Sequence, residues 1–288
     1  MVIETVREID IVRWVEAAPD DKKGFREAVH IVLTAISRSA GLRSKMIMKG
    51  GLLMAIRYDS TRFTRDADFS TRDKHDPASE KALIEELIAQ LYQVNDELPY
   101  DTMCLIQSAK LNPKTPDASF PALKIKIGYA PRSDRKLRDR LMAKQSFTIL
   151  EIDYSYNEAV YDVEVLSLTD GEGLQAYGFT NLIAEKYRSL LQQPYRRRNR
   201  RQDVYDLHML LSGCEVLSPA EQQQLHTHLI ATCQSRNITA MPQSMRDPQV
   251  RSMAAENYGG LAEEIEGELP DFDPAYEAVQ TFYEKLPW

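Results

Sequence analysis

Cysteine is scarce in this chain and long apolar runs are missing. Cys104, Cys214 and Cys233 lie far apart and without metal-ligand spacing. They argue against a disulfide scaffold or a zinc module and for a reducing, cytoplasmic setting. No apolar stretch approaches the ~20 residues that span a bilayer, so no membrane partner is expected. The first residues, Met-Val-Ile-Glu-Thr-Val-Arg-Glu, lack the apolar core of a signal peptide. A Walker A sequence, a nucleophile elbow, internal repeats and low-complexity segments are also missing, which removes several common enzyme classes. What remains is an ordinary globular composition: 288 residues, 43% hydrophobic and 27% charged. That length suits one large or two modest domains.

The net charge of −7 is unevenly spread. Residues 252–288 hold nine acids and one base, so the first 251 residues sum to +1. Within them, residues 110–145 carry ten bases against three acids, and residues 185–206 seven against three. Basic patches of this kind can meet phosphates although the whole chain is acidic.

Periodicity predicts helices over 3–16 and about 20–40, the second with Asp20 and Asp21 placed to cap it. A short strand over Met46–Lys49, a helix over Gly51–Tyr58, a strand over Asp66–Ser70 and a helix from Pro77 to about Asn95 follow. Strands are expected at Met103–Ser108, Pro121–Tyr129, Ser146–Tyr156 and Tyr161–Leu168, with a basic loop or helix over Arg132–Lys144. Helices are expected near 180–193, 203–212, 218–235, 250–266 and 273–285. A boundary is expected near 170–178, at Asp170-Gly-Glu-Gly.

The chemistry concentrates in Lys49-Gly-Gly and Arg62-Phe-Thr-Arg-Asp-Ala-Asp-Phe-Ser. Residues i and i+2 of a strand share a face, so Asp66 and Asp68 present paired carboxylates. Gly50 and Gly51 let the backbone approach a phosphate, and the following helix turns its free N–H groups and positive end toward it. Two carboxylates beside such a turn suit Mg²⁺ (or Mn²⁺) and an NTP. Two-metal chemistry would set ions roughly 3.5–4 Å apart. A third acid is expected from Ile149-Leu-Glu-Ile-Asp-Tyr-Ser-Tyr-Asn157, whose alternation puts Glu151 and Asp153 on one face; Asp153 is preferred, although a solvated sheet face explains the alternation equally well. Lys186, beside the apolar Leu182 and Ile183, is a candidate to meet the triphosphate. Asp203 and Asp206 open a helix where carboxylates favour the dipole. The run Arg196–Arg201, ending at Arg201, could be a solvated loop or could grip a polyphosphate or RNA backbone. With Lys49 and Arg65 it completes the candidate phosphate-contacting set. His226 and His228, at i and i+2 of a helix, do not share a face and are not metal candidates.

Taken together, Lys49-Gly-Gly, Arg62-x-Thr-x-Asp-x-Asp-Phe-Ser, Leu182-x-Ala-Glu-Lys and Arg201-x-Asp-x-x-Asp-Leu resemble the AbiEii/AbiGii toxin family. Its members are nucleotidyltransferases of the DNA polymerase β superfamily from abortive-infection and toxin–antitoxin systems, with the MenT toxins as relatives. The resemblance covers roughly residues 30–210. It implies an α+β fold: a polymerase-β-like nucleotidyltransferase core with a mixed sheet and N-terminal helices over 1–175, then a helical C-terminal domain over 176–288. It also implies that Gly50 and Gly51 cradle the nucleotide, Asp66 and Asp68 bind metal, Lys186 contacts phosphates, and Asp203 or Asp206 is an essential acid. Gly51 stands where many superfamily members have Ser, which removes a hydroxyl contact and keeps the backbone one. The activity implied is transfer of nucleotides to an RNA acceptor, the tRNA 3′ end foremost, with a cognate antitoxin as protein partner.

Two rival readings share these residues. One is a small-molecule nucleotidyltransferase of the aminoglycoside-modifying type, against which the extended basic segments argue. The other is a non-catalytic partner-binding module on a degenerate core, against which the intact acids argue.

Overall fold

In the computed structural model, residues 6–113, 118–168, 173–213 and 216–288 are described. They form two compact units. The first unit comprises Met1–Arg57 and Thr64–Tyr177, and the second Tyr58–Phe63 and Gly178–Trp288.

The first unit begins with strand β1 (Val6–Ile9), helix α1 (Ile11–Glu16), α2 (Asp20–Arg38) and the short α3 (Ala40–Arg43). Strand β2 (Ile47–Lys49), helix α4 (Gly50–Arg57), strand β3 (Asp66–Ser70) and helix α5 (Pro77–Glu97) follow. Strands β4 (Thr102–Asn112) and β5 (Ala122–Pro131), helix α6 (Arg135–Met142), and strands β6 (Ile149–Ser155), β7 (Val163–Leu168) and β8 (Gly173–Tyr177) complete it. All eight strands join one mixed sheet in the order β1-β7-β8-β2-β3-β6-β5-β4. The pairs β1–β7, β8–β2 and β3–β6 are parallel; the others are antiparallel.

One face of this sheet is apolar. Leu123, Ile125, Ile127, Leu150, Ile152 and Phe69 are fully buried on it, and α2, itself buried along most of its length, packs against β4, β5, β6 and β8. The opposite face of β3, β5 and β6 carries Asp66, Asp68, Lys124, Lys126, Glu151, Asp153 and Ser155. Period-two alternation thus separates a hydrophobic layer from a charged one.

The second unit is helical: α7 (Phe179–Arg196), α8 (Arg201–Gly213), α9 (Pro219–Gln234), α10 (Pro248–Ala255) and α11 (Phe272–Glu284). Helix α7 is its centre, buried on nearly every side, and Tyr187 donates to the Val279 carbonyl at 2.9 Å. Helix α9 starts with a reciprocal capping box between Ser218 and Glu221. Among the described residues no helix is long and apolar enough to cross a membrane.

Several expectations need correcting. The helix expected over 3–16 is divided: Val6–Ile9 is an edge strand paired with Val165–Leu168, while residues 3–5 lie outside the described residues. Asp20 and Asp21 do not cap α2; Pro19 holds the cap position, and the two acids occupy the first turn, where they favour the dipole. The helix expected over 250–266 stops at Ala255, because Asn257 takes a left-handed conformation and a 3₁₀ turn covers Tyr258–Glu263. The expected boundary at Asp170-Gly-Glu-Gly starts outside the described residues, and Gly173–Tyr177 beyond it is a sheet strand, β8. The segment Tyr58–Phe63 belongs to the helical unit rather than to the core.

Candidate active site

Strand β2 runs directly into α4 through Gly50, whose φ of +73° lies in the left-handed region. A Cβ at this position would sit 2.0 Å from Asp68 Oδ2 and 2.8 Å from its Cγ. Gly50 is therefore required twice, for its backbone angle and for the carboxylate resting on its Cα. Gly51 is buried in the first turn of α4. The Asp68 side chain thereby lies against the start of a helix whose first N–H groups have no intrahelical partner.

Register sets the surrounding charges. In the antiparallel pair β2–β3, Lys49 stands opposite Asp68; in the parallel pair β3–β6, Asp66 stands beside Glu151 and Asp68 beside Asp153. Next to β6, Lys124 faces Asp153 and Lys126 faces Glu151. Directly paired residues share a face, so Asp66, Asp68, Glu151, Asp153, Lys124 and Lys126 occupy one surface of the sheet. Asp66 is exposed and accepts a hydrogen bond from the Thr64 hydroxyl. Arg65, also exposed, precedes it at the strand entrance.

The four acids are not equivalent. The Lys124 ammonium bonds Glu151 at 2.9 Å and reaches Asp153 at 3.5 Å, and Lys126 approaches Glu151 at 3.8 Å. The hydrogen bond to Glu151 and the nearby charge of Asp153 raise the Lys124 pKa above its ordinary value. Among the described residues no group of three or more His, Cys, Asp or Glu is gathered to hold a metal ion. Asp66 and Asp68 share their face with Asp153, but Lys124 occupies the β6 acids. Lys49 is buried at 7% exposure, with its ammonium 3.9 Å from Glu158 and 5.9 Å from the centre of the Tyr177 ring.

The remaining candidates lie in the second unit. Lys186 Nζ is 2.6 Å from Asp206 Oδ2 and 3.2 Å from Asp203 Oδ1. Arg62 grips Asp206 with two bonds, Nε to Oδ1 at 2.9 Å and Nη2 to Oδ2 at 3.0 Å. Its Nη1 is 3.8 Å from Glu264, which also receives Arg201 at 3.1 Å. Burial alone would raise the Asp206 pKa, but the Lys186 and Arg62 charges outweigh it and hold the carboxyl below its ordinary value. Likewise burial alone would lower Lys186, while Asp206 and Asp203 raise it.

Lys186, expected to project inward toward the triphosphate, is ion-paired with Asp203 and Asp206. A cation with 6% exposure must be paired, and two aspartates pair it. Arg201 similarly spends its donors on Glu264 and the Asn257 carbonyl. In the arginine run, Arg196, Arg197 and Arg198 are exposed.

Sequence reasoning missed Lys124 and the partnership of Arg62. The alternation Leu-Lys-Ile-Lys-Ile at 123–127 signals a two-faced strand, but not which strand lies beside it. Arg62 stood in the quoted motif; nothing local tied it to Asp206, 144 residues away.

Comparison with known proteins gives this geometry a context. The crystal structure of JHP933 from Helicobacter pylori superposes with a TM-score of 0.54 at 14% identity, covering 94% of this chain and 93% of that one. A second Helicobacter pylori protein, put forward as a nucleotidyltransferase, gives 0.52 at 12%, covering 93% and 96%. MenT4, a nucleotidyltransferase toxin from Mycobacterium tuberculosis, gives 0.45 at 12%, covering 96% and 97%. A search of curated proteins returned no match. The family described as nucleotidyl transferase AbiEii toxin, type IV toxin–antitoxin system, matches residues 31–285. Since that match takes in both the carboxylate strand and the helical unit, the chain belongs to the AbiEii toxin nucleotidyltransferase family.

Proposed function

We propose that this toxin transfers a nucleotide from an NTP to an RNA acceptor, the tRNA 3′ end foremost, in a Mg²⁺-dependent reaction in the cytoplasm, restrained by a cognate antitoxin. The observation that carries the reading is the Asp68 carboxylate resting on the Gly50 Cα, with Asp66 and Asp153 on the same strand face. Family membership supports nucleotidyl transfer itself.

The residues fit Mg²⁺ in particular. This ion is usually held by one or two carboxylates plus substrate phosphates and water, not by an all-protein cage. A pair of acids on β3, with Lys124 held against the neighbouring Asp153, is consistent with that habit. Asp66 and Asp68 would hold the ion, which when bound would neutralise phosphate charge and activate an acceptor hydroxyl.

The chain's own groups do the rest. Gly50 and Gly51 allow backbone N–H groups at the start of α4 to meet phosphate oxygens. Lys49, beside Asp68 in register, and the exposed Arg65 add positive charge. Asp153, whose carboxylate is 3.5 Å from the Lys124 ammonium, would accept the proton of the attacking hydroxyl at a carboxylate oxygen as the new phosphoester forms and pyrophosphate leaves. Catalysis here is positioning and charge stabilisation. Lys186, Asp203 and Asp206 act by holding the helical unit in shape.

The test is incubation of purified protein with each labelled NTP, Mg²⁺ and total cellular RNA, followed by location of the label. Label in RNA that disappears with EDTA and with Asp68→Asn is the expected result. Label in no RNA with any NTP, or transfer undiminished by Asp68→Asn, overturns the reading.

A further inference from the structure

The connection between β5 and β6 carries a surface that the carboxylate site does not use. Residues 132–147 contain six bases and two acids. Arg132 and Arg138 are tied down: Arg132 donates to the Asn95 carbonyl, and Arg138 donates to the Arg132 carbonyl at 3.0 Å. Arg135, Lys136 and Lys144 are exposed. An open depression of about 530 Å³ is lined by Arg135, Lys136, Asp139, Arg140, Ala143 and Gln145.

At the end of this connection stands Phe147, 72% exposed, with the Arg140 guanidinium 4.0 Å from its ring centre. An aromatic ring held in water adds nothing to the core. With one face against Arg140 and most of its area exposed, the ring offers a flat apolar surface. Met142, 62% exposed, belongs to the same connection.

The location is specific. In β5, Gly128 shares the face of Lys124 and Lys126, and a Cβ on it would meet Gln107 at 2.7 Å and Ser146 at 2.8 Å. Gln107 in turn donates to the Leu141 carbonyl at 3.3 Å. The end of α6 therefore lies over the sheet face that bears Asp66, Asp68, Glu151 and Asp153. Phe147 is six residues before Asp153 and two before the start of β6, so the two are at most about 20 Å apart at roughly 3.3 Å per residue.

We propose that Phe147 and Arg140 form a stacking platform for an unpaired base of the RNA acceptor, a few nucleotides from its reacting end, with the exposed bases of α6 meeting the adjoining phosphates. This rests on the RNA reading and adds a subsite to it. Positive charge suits a polyanion, and a flat ring backed by a guanidinium suits a nucleobase, which stacks only when unpaired.

The test measures binding of a fluorescein-labelled single-stranded RNA of a dozen nucleotides, and of a blunt duplex of equal length, at several salt concentrations. Base–aromatic stacking is worth about 1–3 kcal/mol, so Phe147→Ala should weaken single-strand binding roughly 5- to 150-fold, with the loss in transfer falling on KM for RNA. Phe147→Tyr should restore binding, and the duplex should not register the change. Lys136→Ala should reduce the salt slope by about one, whereas Phe147→Ala should not alter it. A melt coincident with wild type checks folding, as expected for a side chain this exposed. If wild type labels RNA yet Phe147→Ala binds the single strand as tightly, the platform is overturned and the RNA reading stands. If wild type binds no RNA, both fall.

Discussion

Replacing Asp206 by Ala should be among the most damaging single changes to the helical unit. Asp206 has no exposed surface and receives two bonds from Arg62 and one from Lys186. Its removal leaves two buried cations facing Asp203 at 3.2 Å and Glu264 at 3.8 Å. Removing one partner of a buried ion pair costs about 3–5 kcal/mol, because the remaining charge is left uncompensated. For a unit of this size that corresponds to a fall of about 10–20 °C in Tm. Equilibrium urea unfolding, followed by helical circular dichroism, would measure it. The double variant Arg62→Met/Asp206→Leu keeps the Lys186–Asp203 pair and should recover most of the loss, since apolar replacement of a buried pair is often neutral. The effect also depends on pH. Asp206 titrates lower folded than unfolded, so its contribution is complete above its ordinary pKa of 3.8 and lost as pH falls through the folded value. Lys186 titrates higher folded, so its contribution is complete below 10.5 and lost as pH rises through the folded value. The gap between wild type and Asp206→Ala should thus be flat between those limits and close outside them. A loss below about 1 kcal/mol at neutral pH would refute the claim that this network supports the unit.

Asp68→Asn should reduce nucleotide transfer by at least ~100-fold while leaving Tm within a few degrees, as the amide keeps the shape that rests on Gly50; radiolabel transfer and a thermal melt report the two quantities. Gly50→Ala should lose both activity and stability, the latter by more than about 1 kcal/mol, because its methyl would fall 2.0 Å from Asp68 Oδ2 in a backbone with positive φ. Lys124→Met should release Asp153, leaving Glu151 with Lys126 at 3.8 Å, and tighten Mn²⁺ binding several-fold by calorimetry; unchanged affinity would remove Asp153 from any metal role.

What was legible in the sequence was what is local. The alternation Asp-Ala-Asp-Phe-Ser gave β3 its limits and put Asp66 and Asp68 on one face, since a period of two needs no knowledge of neighbours. Helix α5, read from Pro77 to about Asn95 and found over Pro77–Glu97, was equally readable. Strand β1 was not, because its four residues become a strand only through pairing with β7, more than 150 residues away. The same holds for Lys186: its sequence neighbours point inward but do not reveal that two aspartates wait there. Lys124 likewise escaped notice, as the register of β5 against β6 decides its partners.

The path of the backbone around Tyr58–Phe63 has a practical outcome for anyone dividing this protein. The hexapeptide is stitched into the helical body by a bridge between Arg62 and Ile265 and by Phe63 N–H donating to the Glu264 carbonyl at 2.6 Å. A cut at 177/178 would hand one fragment a stray insert and strip from the other the guanidinium that neutralises Asp206. Expressing 178–288 alone therefore asks a polypeptide to fold around an anion that keeps Lys186 but has lost its two-pronged arginine partner, whereas grafting residues 58–63 onto its front by a flexible tether would return that partner.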